Sequence, residues 1–386
     1  MSTAAIPALI SVVTPFHNTA PYLAQCIESV LAQTHGNFEY LLVDNCSTDG
    51  SGEIAKGYAH ADPRIRYVRH DTLLPQVANY NRALAQICTQ SEFCKIVQAD
   101  DCIFADCLAR MAEAFAQSPR VGLAGSYYLK GTTVRPSGFP LATPYLAGHD
   151  MARLYLAGDV WAFGSPTAVM YRAAIVREQR PFFREDAPNE DTEKCMSILE
   201  RWDFAFVYQV LSFLRVGNES ITSSTRAYLP GALDFYIVVR RYGPRFLDPR
   251  AAADLERRAR QRYYRSLATR ALRFPPRGFW KYHAAGLRSL GEEIEWHRVA
   301  AGMATELGWM LVNPGMALSG LGRRLRRKSG SAPAVADAAA PVHPTILTDR
   351  GRRPSRAGED EDRPSQSDPR ALRDRAIFGD TESRLD

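Results

Sequence analysis

Two adjacent carboxylates, Asp100 and Asp101, follow the short apolar run Phe93 to Val97 in the turn Gln98-Ala99-Asp100-Asp101, with no Lys or Arg directly beside them. Neighbouring ionised carboxylates repel each other, and a cation docking on them relieves that cost. A hard divalent ion takes one or two carboxylates and fills its remaining positions with phosphate oxygens and water. The alternative is that Asp100 caps a helix beginning near Ala105 and Asp101 is a solvated turn residue. Asp44 stands at the tip of a second apolar run, Tyr40 to Val43. There a carboxylate can accept hydrogen bonds from the N–H edge of a base or from ribose hydroxyls. It can equally close an Asx-turn with Ser47 or Asp49, and the two roles are compatible. A third acidic signal, Asn189-Glu190-Asp191-Thr192-Glu193, precedes the helical pattern Cys195, Met196, Ile198, Leu199. The helix dipole alone would favour acids at such a start.

These residues need a scaffold that brings strand ends together. Leu9 to Thr14 reads as a first strand, stopped by Pro15, and Pro21 opens an amphipathic helix carrying Leu23, Ile27, Val30 and Leu31. Tyr40 to Val43 is a second strand, followed by a polar loop and a helix from Ile54. Arg64 to Arg69, then Gln76 to Ile87, then Phe93 to Val97 give strand, helix and strand. This alternation predicts a parallel sheet with helices on both faces, and in such sheets chemistry collects beyond the carboxyl ends of the strands. Gly50-Ser51-Gly52-Glu53-Ile54-Ala55 formally matches a dinucleotide fingerprint. It lies too far past Val43, and on the wrong strand, for its first glycine to make the required tight turn.

The chain has 386 residues, room for two domains or one with an extension, and its 46% hydrophobic and 23% charged residues are ordinary globular composition. A formal charge of +6, with much of the basic character late in the chain, does not suggest nucleic-acid binding. Seven cysteines without a C-x-x-C pair read as reduced thiols. No basic-then-apolar leader is visible at Met1 to Pro7, so the expected location is cytoplasmic.

In order, Ser11-Val12-Val13-Thr14-Pro15-Phe16-His17-Asn18, Leu42-Val43-Asp44-Asn45-Cys46-Ser47-Thr48-Asp49-Gly50 and Val97-Gln98-Ala99-Asp100-Asp101 resemble the family-2 glycosyltransferases, which are inverting enzymes of GT-A fold. The segment Gln76 to Leu84 resembles the family's helix ending in Arg-Asn-x-Gly-Leu, with Tyr80 where an arginine is common. The resemblance spans about Leu9 to Ser220. It implies nucleotide-sugar contacts from Thr14, Pro15, Phe16, Asn18, Asp44, Asn45, Asn81 and Asp100. It also implies a divalent cation, Mn2+ or Mg2+, on Asp100 and Asp101, with Asp191 as catalytic base and Glu190 and Trp161 on the acceptor side. The donor would be a UDP-sugar and the acceptor a saccharide or lipid-linked hydroxyl. Two departures stand out. Gln98 replaces the first acid of the common Asp-x-Asp-Asp, and Gly217 replaces the histidine of Arg-x-His-x-x-Ser, so that Arg215 or Asn218 would have to cover its role. A metal-dependent nucleotidyltransferase and a non-catalytic nucleotide-sugar-binding module are the rival readings.

The expected fold is thus α/β, a GT-A type open, mostly parallel sheet with helices on both faces. The expected division is a catalytic domain over 1–225, a helical extension over 226–328 and a disordered tail over 329–386. Phe204 to Tyr208 and Leu211 to Val216 read as two further strands; Gly164, Ser165 and Pro166 would, by the resemblance, bring backbone close to a ligand, or make a plain turn before a core strand. The apolar stretch Val299 to Leu321 is interrupted by Glu306, Asn313 and Pro314 and ends in Arg323-Arg324-Leu325-Arg326-Arg327-Lys328. It is too broken to span a bilayer. A packed helical subdomain with a solvated basic end, or peripheral contact with the inner face of a membrane, would fit it.

Overall fold

The computed structural model describes residues 7–136, 138–139, 143–160, 163–217 and 228–312. Its strands are β1 (Ile10–Phe16), β2 (Phe38–Asp44), β3 (Ile65–Arg69), β4 (Phe93–Ile96), β5 (Cys102–Ile103), β6 (Val121–Lys130), β7 (Thr133–Arg135), β8 (Tyr145–Leu146), β9 (Val169–Arg172) and β10 (Asp203–Leu214). They form a mixed ten-stranded sheet of order β3-β2-β1-β4-β9-β6-β10-β5, with β7 on β6 and β8 on β10. β3, β2, β1 and β4 are mutually parallel. β9 enters antiparallel between β4 and β6. The helices are α1 (Ala20–Leu31), α2 (Ser51–Ala61), α3 (Gln76–Leu84), α4 (Cys107–Ala114), α5 (Gly148–Ala157), α6 (Ala173–Glu178), α7 (Glu190–Leu199), α8 (Pro230–Phe246), α9 (Pro249–Ala271), α10 (Phe279–Arg288) and α11 (Trp296–Val312).

Alternation along the parallel strands feeds two cores. Val12, Tyr40, Leu42 and Val97 pack with Leu23 and Ile27 of α1 and with Leu108 and Met111 of α4. Val13, Leu41, Val43 and Ile96 face the other way, into a larger core that also holds Leu233, Tyr236 and Ile237 of α8 and Tyr263 and Leu267 of α9. The sheet is therefore apolar on both faces, as expected when helices cover both. The late helices share their core with the sheet.

Two expectations about strands are corrected. Pro15 does not end β1: it stays in register opposite Val43, and Phe16 pairs with Asp44. Val13 accepts the Val97 N–H through its carbonyl, so residue 15 also points toward β4, where proline has no N–H to offer. The Thr14 hydroxyl donates to the Val97 carbonyl instead, at 2.8 Å. The two strands read in 204–216 are one, β10, parallel to β6 with register shifts between Val207 and Ser212. The irregularity that looked like a break in the sequence pattern is a bulged strand.

Candidate functional site

The acidic turn sits beyond β4 and is held by the segment that leads into β9. A 3-10 turn, Pro166–Ala168, places Thr167 in the middle. The Thr167 hydroxyl accepts the Gln98 N–H at 3.0 Å and donates to Asp101 Oδ2 at 2.7 Å. Ser165 donates to Gln98 Oε1 at 2.7 Å, and Gln98 Nε2 donates to the Tyr80 hydroxyl at 3.1 Å. Beneath them the fully enclosed Lys95 donates through Nζ to the carbonyls of Thr167 (2.5 Å) and Val169 (3.1 Å). Burial pulls the Lys95 pKa down, and the charge of Asp101 is among the groups that oppose this.

Asp100 and Asp101 are not equivalent. Asp101 is buried, with Oδ2 taken by Thr167 and Oδ1 accepting the Arg215 N–H at 3.1 Å. Burial, and then the charge of Asp100, push its pKa up to about 7. Asp100 is half-buried. Arg215 caps this corner: Nε donates to the Asp100 carbonyl (3.0 Å), Nη2 to Gln25 Oε1 (2.6 Å), and the guanidinium lies over the Tyr22 ring at 4.8 Å. The acids therefore have cationic neighbours after all, Lys95 from β4 itself and Arg215 from the distant end of β10.

Fit to a divalent cation follows from this donor set. Among the described residues no group of three or more His, Cys, Asp or Glu is placed to hold a metal ion. A magnesium-like ion, however, takes only one or two carboxylates and completes its shell with substrate phosphates and water. Asp100, backed by the fixed Asp101, fits such an ion if a diphosphate arrives with it.

The loops after β1 and β2 are riveted to each other. Asn18 N–H donates to Ser47 Oγ, Thr48 N–H to Asn18 Oδ1, Thr19 N–H to Ser51 Oγ and Ala20 N–H to Asp49 Oδ2. Asn45 is pinned to the backbone of Leu74 through both its amide atoms. Thr14 and Phe16 are enclosed in the sheet core beneath these loops, whereas His17 and Asn18 are exposed above. Asp44 is fully buried and accepts from the Ser47 N–H (2.7 Å), the Tyr67 hydroxyl (2.8 Å) and Arg69 (2.6 Å). Burial opposes its ionisation, yet hydrogen bonds from Ser47 and Tyr67 and the Arg69 charge hold its carboxyl below the ordinary range. Gly52 packs over this carboxylate, where an added Cβ would stand 2.9 Å from Oδ2. Of the two glycines that mimic a dinucleotide fingerprint, Gly52 serves that approach and Gly50 takes the left-handed turn (φ 92°) before α2.

The third acidic signal opens α7. Thr192 N–H donates to Asp191 Oδ1 at 2.6 Å, and the Thr192 hydroxyl reaches the Phe163 carbonyl at 3.4 Å, joining α7 to the segment that grips the acidic turn. Burial raises the pKa of both Glu190 and Asp191, with Asp191 adding to the effect on Glu190. Burial also raises the Tyr80 phenol, the bond from Gln98 opposes, and the charges of Glu190, Asp100 and Asp101 add to the rise. Tyr80 thus feels both acidic signals at once, so they border one region. Gly164 does not open space for a ligand: an added Cβ would sit 1.7 Å from the Tyr128 hydroxyl. Asn81, assigned to the donor, bonds Phe183 through both amide atoms and also donates to Glu185. Trp161 and Asn218 lie outside the described residues.

Two site residues escaped the sequence reading, Lys95 and Asp234. Asp234 on α8 has a buried Oδ1 without a hydrogen-bond partner among the described residues. Burial, then the charges of Asp191, Glu190 and Glu193, push its pKa up to about 8. Each had a faint signal: a lone charge inside an apolar run, Phe93 to Val97 and Leu233 to Val239.

The sheet, with its acid-lined strand ends, has a fold of the GT-A type. Residues 11–179 match the family model for Glycosyl transferase family 2. Glycosyltransferase GlyG of Streptococcus pneumoniae is 34% identical over 122 residues, 31% of this chain and 39% of GlyG. TuaG of Bacillus subtilis, named for teichuronic acid biosynthesis, is 27% identical over 217 residues, 56% of this chain and 82% of TuaG. Among solved structures, S. aureus TarS 1-349 in complex with UDP-GlcNAc superposes with a TM-score of 0.51 at 21% identity, over 73% of this chain and 79% of TarS 1-349. The chain spans well under half the length of GlyG and most of TuaG.

Replacing Lys95 by Met leaves two buried carbonyls without their donor and the acidic turn without its cation. We expect Lys95→Met to lose roughly 2–5 kcal/mol of stability, read as a lower urea midpoint; an unchanged midpoint would refute the bracing role. For Asp234 the folded pKa lies above the unfolded one, so the stability it contributes is present at pH below about 4 and lost as pH rises through about 8. Asp234→Asn should therefore melt higher than the parent at pH 8.5, with the gap closing at pH 4. A gap that grows toward acid would contradict this.

Proposed function

We propose that the chain is an inverting glycosyltransferase that moves a sugar from a nucleoside-diphosphate donor, most simply a UDP-sugar, to a hydroxyl of a saccharide or lipid-linked acceptor. What carries the reading is Tyr80, whose hydroxyl accepts from Gln98 of the acidic turn and on which the charges of Asp100, Asp101 and Glu190 all bear. A donor site and a proton acceptor facing each other is what a single displacement at an anomeric carbon requires. The fold likeness to TarS and the match over residues 11–179 support the same class of reaction.

In this reading the donor lies across the riveted loops after β1 and β2, its diphosphate toward Asp100. Arg215, bonded to the Asp100 carbonyl, offers its cation to the diphosphate. Base or ribose contact with Asp44 would require Tyr67 or the exposed Arg69 to give way, since all its partners are internal. A divalent cation bound at Asp100 would supply Lewis-acid stabilisation of the leaving diphosphate. Asp191 takes the proton of the acceptor hydroxyl as its oxygen attacks the anomeric carbon, and the bond to the diphosphate oxygen breaks on the opposite face. The burial that lifts Asp191 and Glu190 brings a carboxylate nearer the pH at which a general base works best. Asp101 keeps the turn in shape for Asp100. The division into a catalytic domain over 1–225 and a helical part over 226–328 belongs to the same proposal.

The test is a panel of nucleotide sugars with Mn2+ and candidate acceptors, assayed for released nucleoside diphosphate. Asp191→Asn should lower transfer by about a hundred- to ten-thousand-fold while donor affinity stays near that of the parent; joint loss of both would contradict the base assignment. Calorimetric titration separates the paired acids. Asp100→Ala should remove the Mn2+ dependence of UDP binding at nearly unchanged melting temperature, whereas Asp101→Ala should lower the melting temperature. The reverse pattern would exchange their roles.

A further inference from the structure

α11 is a helix with one face in the protein and one face of unusual character. Val299 is buried, Gly302 lies against Ala268 of α9 so closely that an added Cβ would stand 2.7 Å from it, Met303 packs on the core, and Glu306 pairs with Arg265 at 2.9 Å. Those positions recur at helical spacing and define the inner face. Opposite them, Ala300, Ala304, Leu307 and Leu311 point to solvent. Leu307 is 48% exposed, Leu311 81% and Val312 80%, with Trp309 at 48% beside them.

No charge interrupts this outer face. Between Val299 and Val312 the one ionisable side chain is Glu306, which is turned toward Arg265, and the Thr305 hydroxyl folds back onto the Ala301 carbonyl at 3.0 Å. Leucines at such exposure on consecutive turns are costly in water and mark an interaction surface. No helix among the described residues is long and apolar enough to cross a membrane.

The sequence that follows identifies the occupant. After Asn313-Pro314, residues 315–322 are uncharged, and Arg323, Arg324, Arg326, Arg327 and Lys328 then place five cations in six positions. No acid occurs between Glu306 and Asp337. An apolar helix face carrying tryptophan, continued by a polybasic run, has the chemistry of a surface that lies in an anionic lipid interface: apolar side chains enter the acyl boundary and cations meet the phosphates. We propose that α11 docks the protein peripherally on an anionic phospholipid bilayer, with Leu307, Trp309 and Leu311 entering the interface. This does not depend on the transferase reading.

The experiment uses the full chain with vesicles of phosphatidylglycerol mixed into phosphatidylcholine, and of phosphatidylcholine alone, in co-sedimentation at 0.1 M salt. The expected result is binding to the anionic vesicles at least about tenfold tighter than to the neutral ones, weakening as salt is raised. Leu307→Glu with Leu311→Glu, and separately Gln at all five basic positions 323, 324 and 326–328, should each cut anionic-vesicle binding by at least about tenfold. Both variants should keep the parent melting temperature. A blue shift of tryptophan emission on adding anionic vesicles is the second readout in the unaltered protein. Equal binding to both vesicle types, full binding by the Leu307/Leu311 variant, or no emission shift would overturn the proposal. So would light scattering that shows a dimer dissolved by that variant. Protection of 300–311 from hydrogen exchange without lipid, lost on truncation after Val312, would assign the face to the chain's own C-terminal segment and overturn it too.

Discussion

The Thr167 hydroxyl joins the two halves of this site. It accepts the Gln98 N–H and donates to Asp101, while its own carbonyl accepts from Lys95. A hydroxyl has one donor and two acceptor positions, and here it fixes a backbone amide and a carboxylate together. The turn that presents Asp100 therefore inherits its shape from the segment before β9, and that segment is tied through Phe163 to the start of α7, where Asp191 stands. Without this joint the acidic turn would be an ordinary strand-to-helix connection.

Charge is distributed unequally around the joint. On the side of the acidic turn, Lys95 is sealed below and Arg215 is bonded across the top, so Asp101 has a fixed environment of donors. On the α7 side, Glu193 forms an ion pair with Arg241 of α8, but Glu190, Asp191 and Asp234 face one another with raised pKa values. Buried carboxylates without a cation store cost, and such cost at a strand-end site is compatible with proton transfer. α8 contributes to this side directly, through Asp234 and Arg241, which makes the late helices part of the site's electrostatics.

Much of the scaffold was legible along the chain. Continuous apolar runs bounded by Pro, Gly and polar loops marked β1 to β4 with α1 to α3 between them, because strands buried on both faces need apolar residues at every position. Pro15 misled because its effect on a ladder depends on which neighbour its missing N–H faces, and Thr14 covers that gap. The single β10 was read as two strands because a bulge breaks the alternation without breaking the strand. Of the site, the acidic pairs were visible, and the inequality within Asp100–Asp101 was not: it depends on Thr167 and Arg215, far along the chain. Thr14 and Phe16 sit next to exposed loop residues in sequence yet point into the core, a matter of strand pleat and not of motif.

Residue order alone determined the alternating α/β scaffold, the three acidic signals and the uncharged and basic runs near the end, since these are local patterns of size, polarity and spacing. Only the tertiary structure decided that Asp101 is held while Asp100 is less enclosed, that Lys95 lies beside Asp101 and Asp234 beside Asp191 and Glu190, and that α11 turns leucine to solvent. Those facts are set by contacts between segments brought together by the sheet, and burial and hydrogen bonding from distant residues fix a side chain's charge and direction more strongly than its sequence neighbours do.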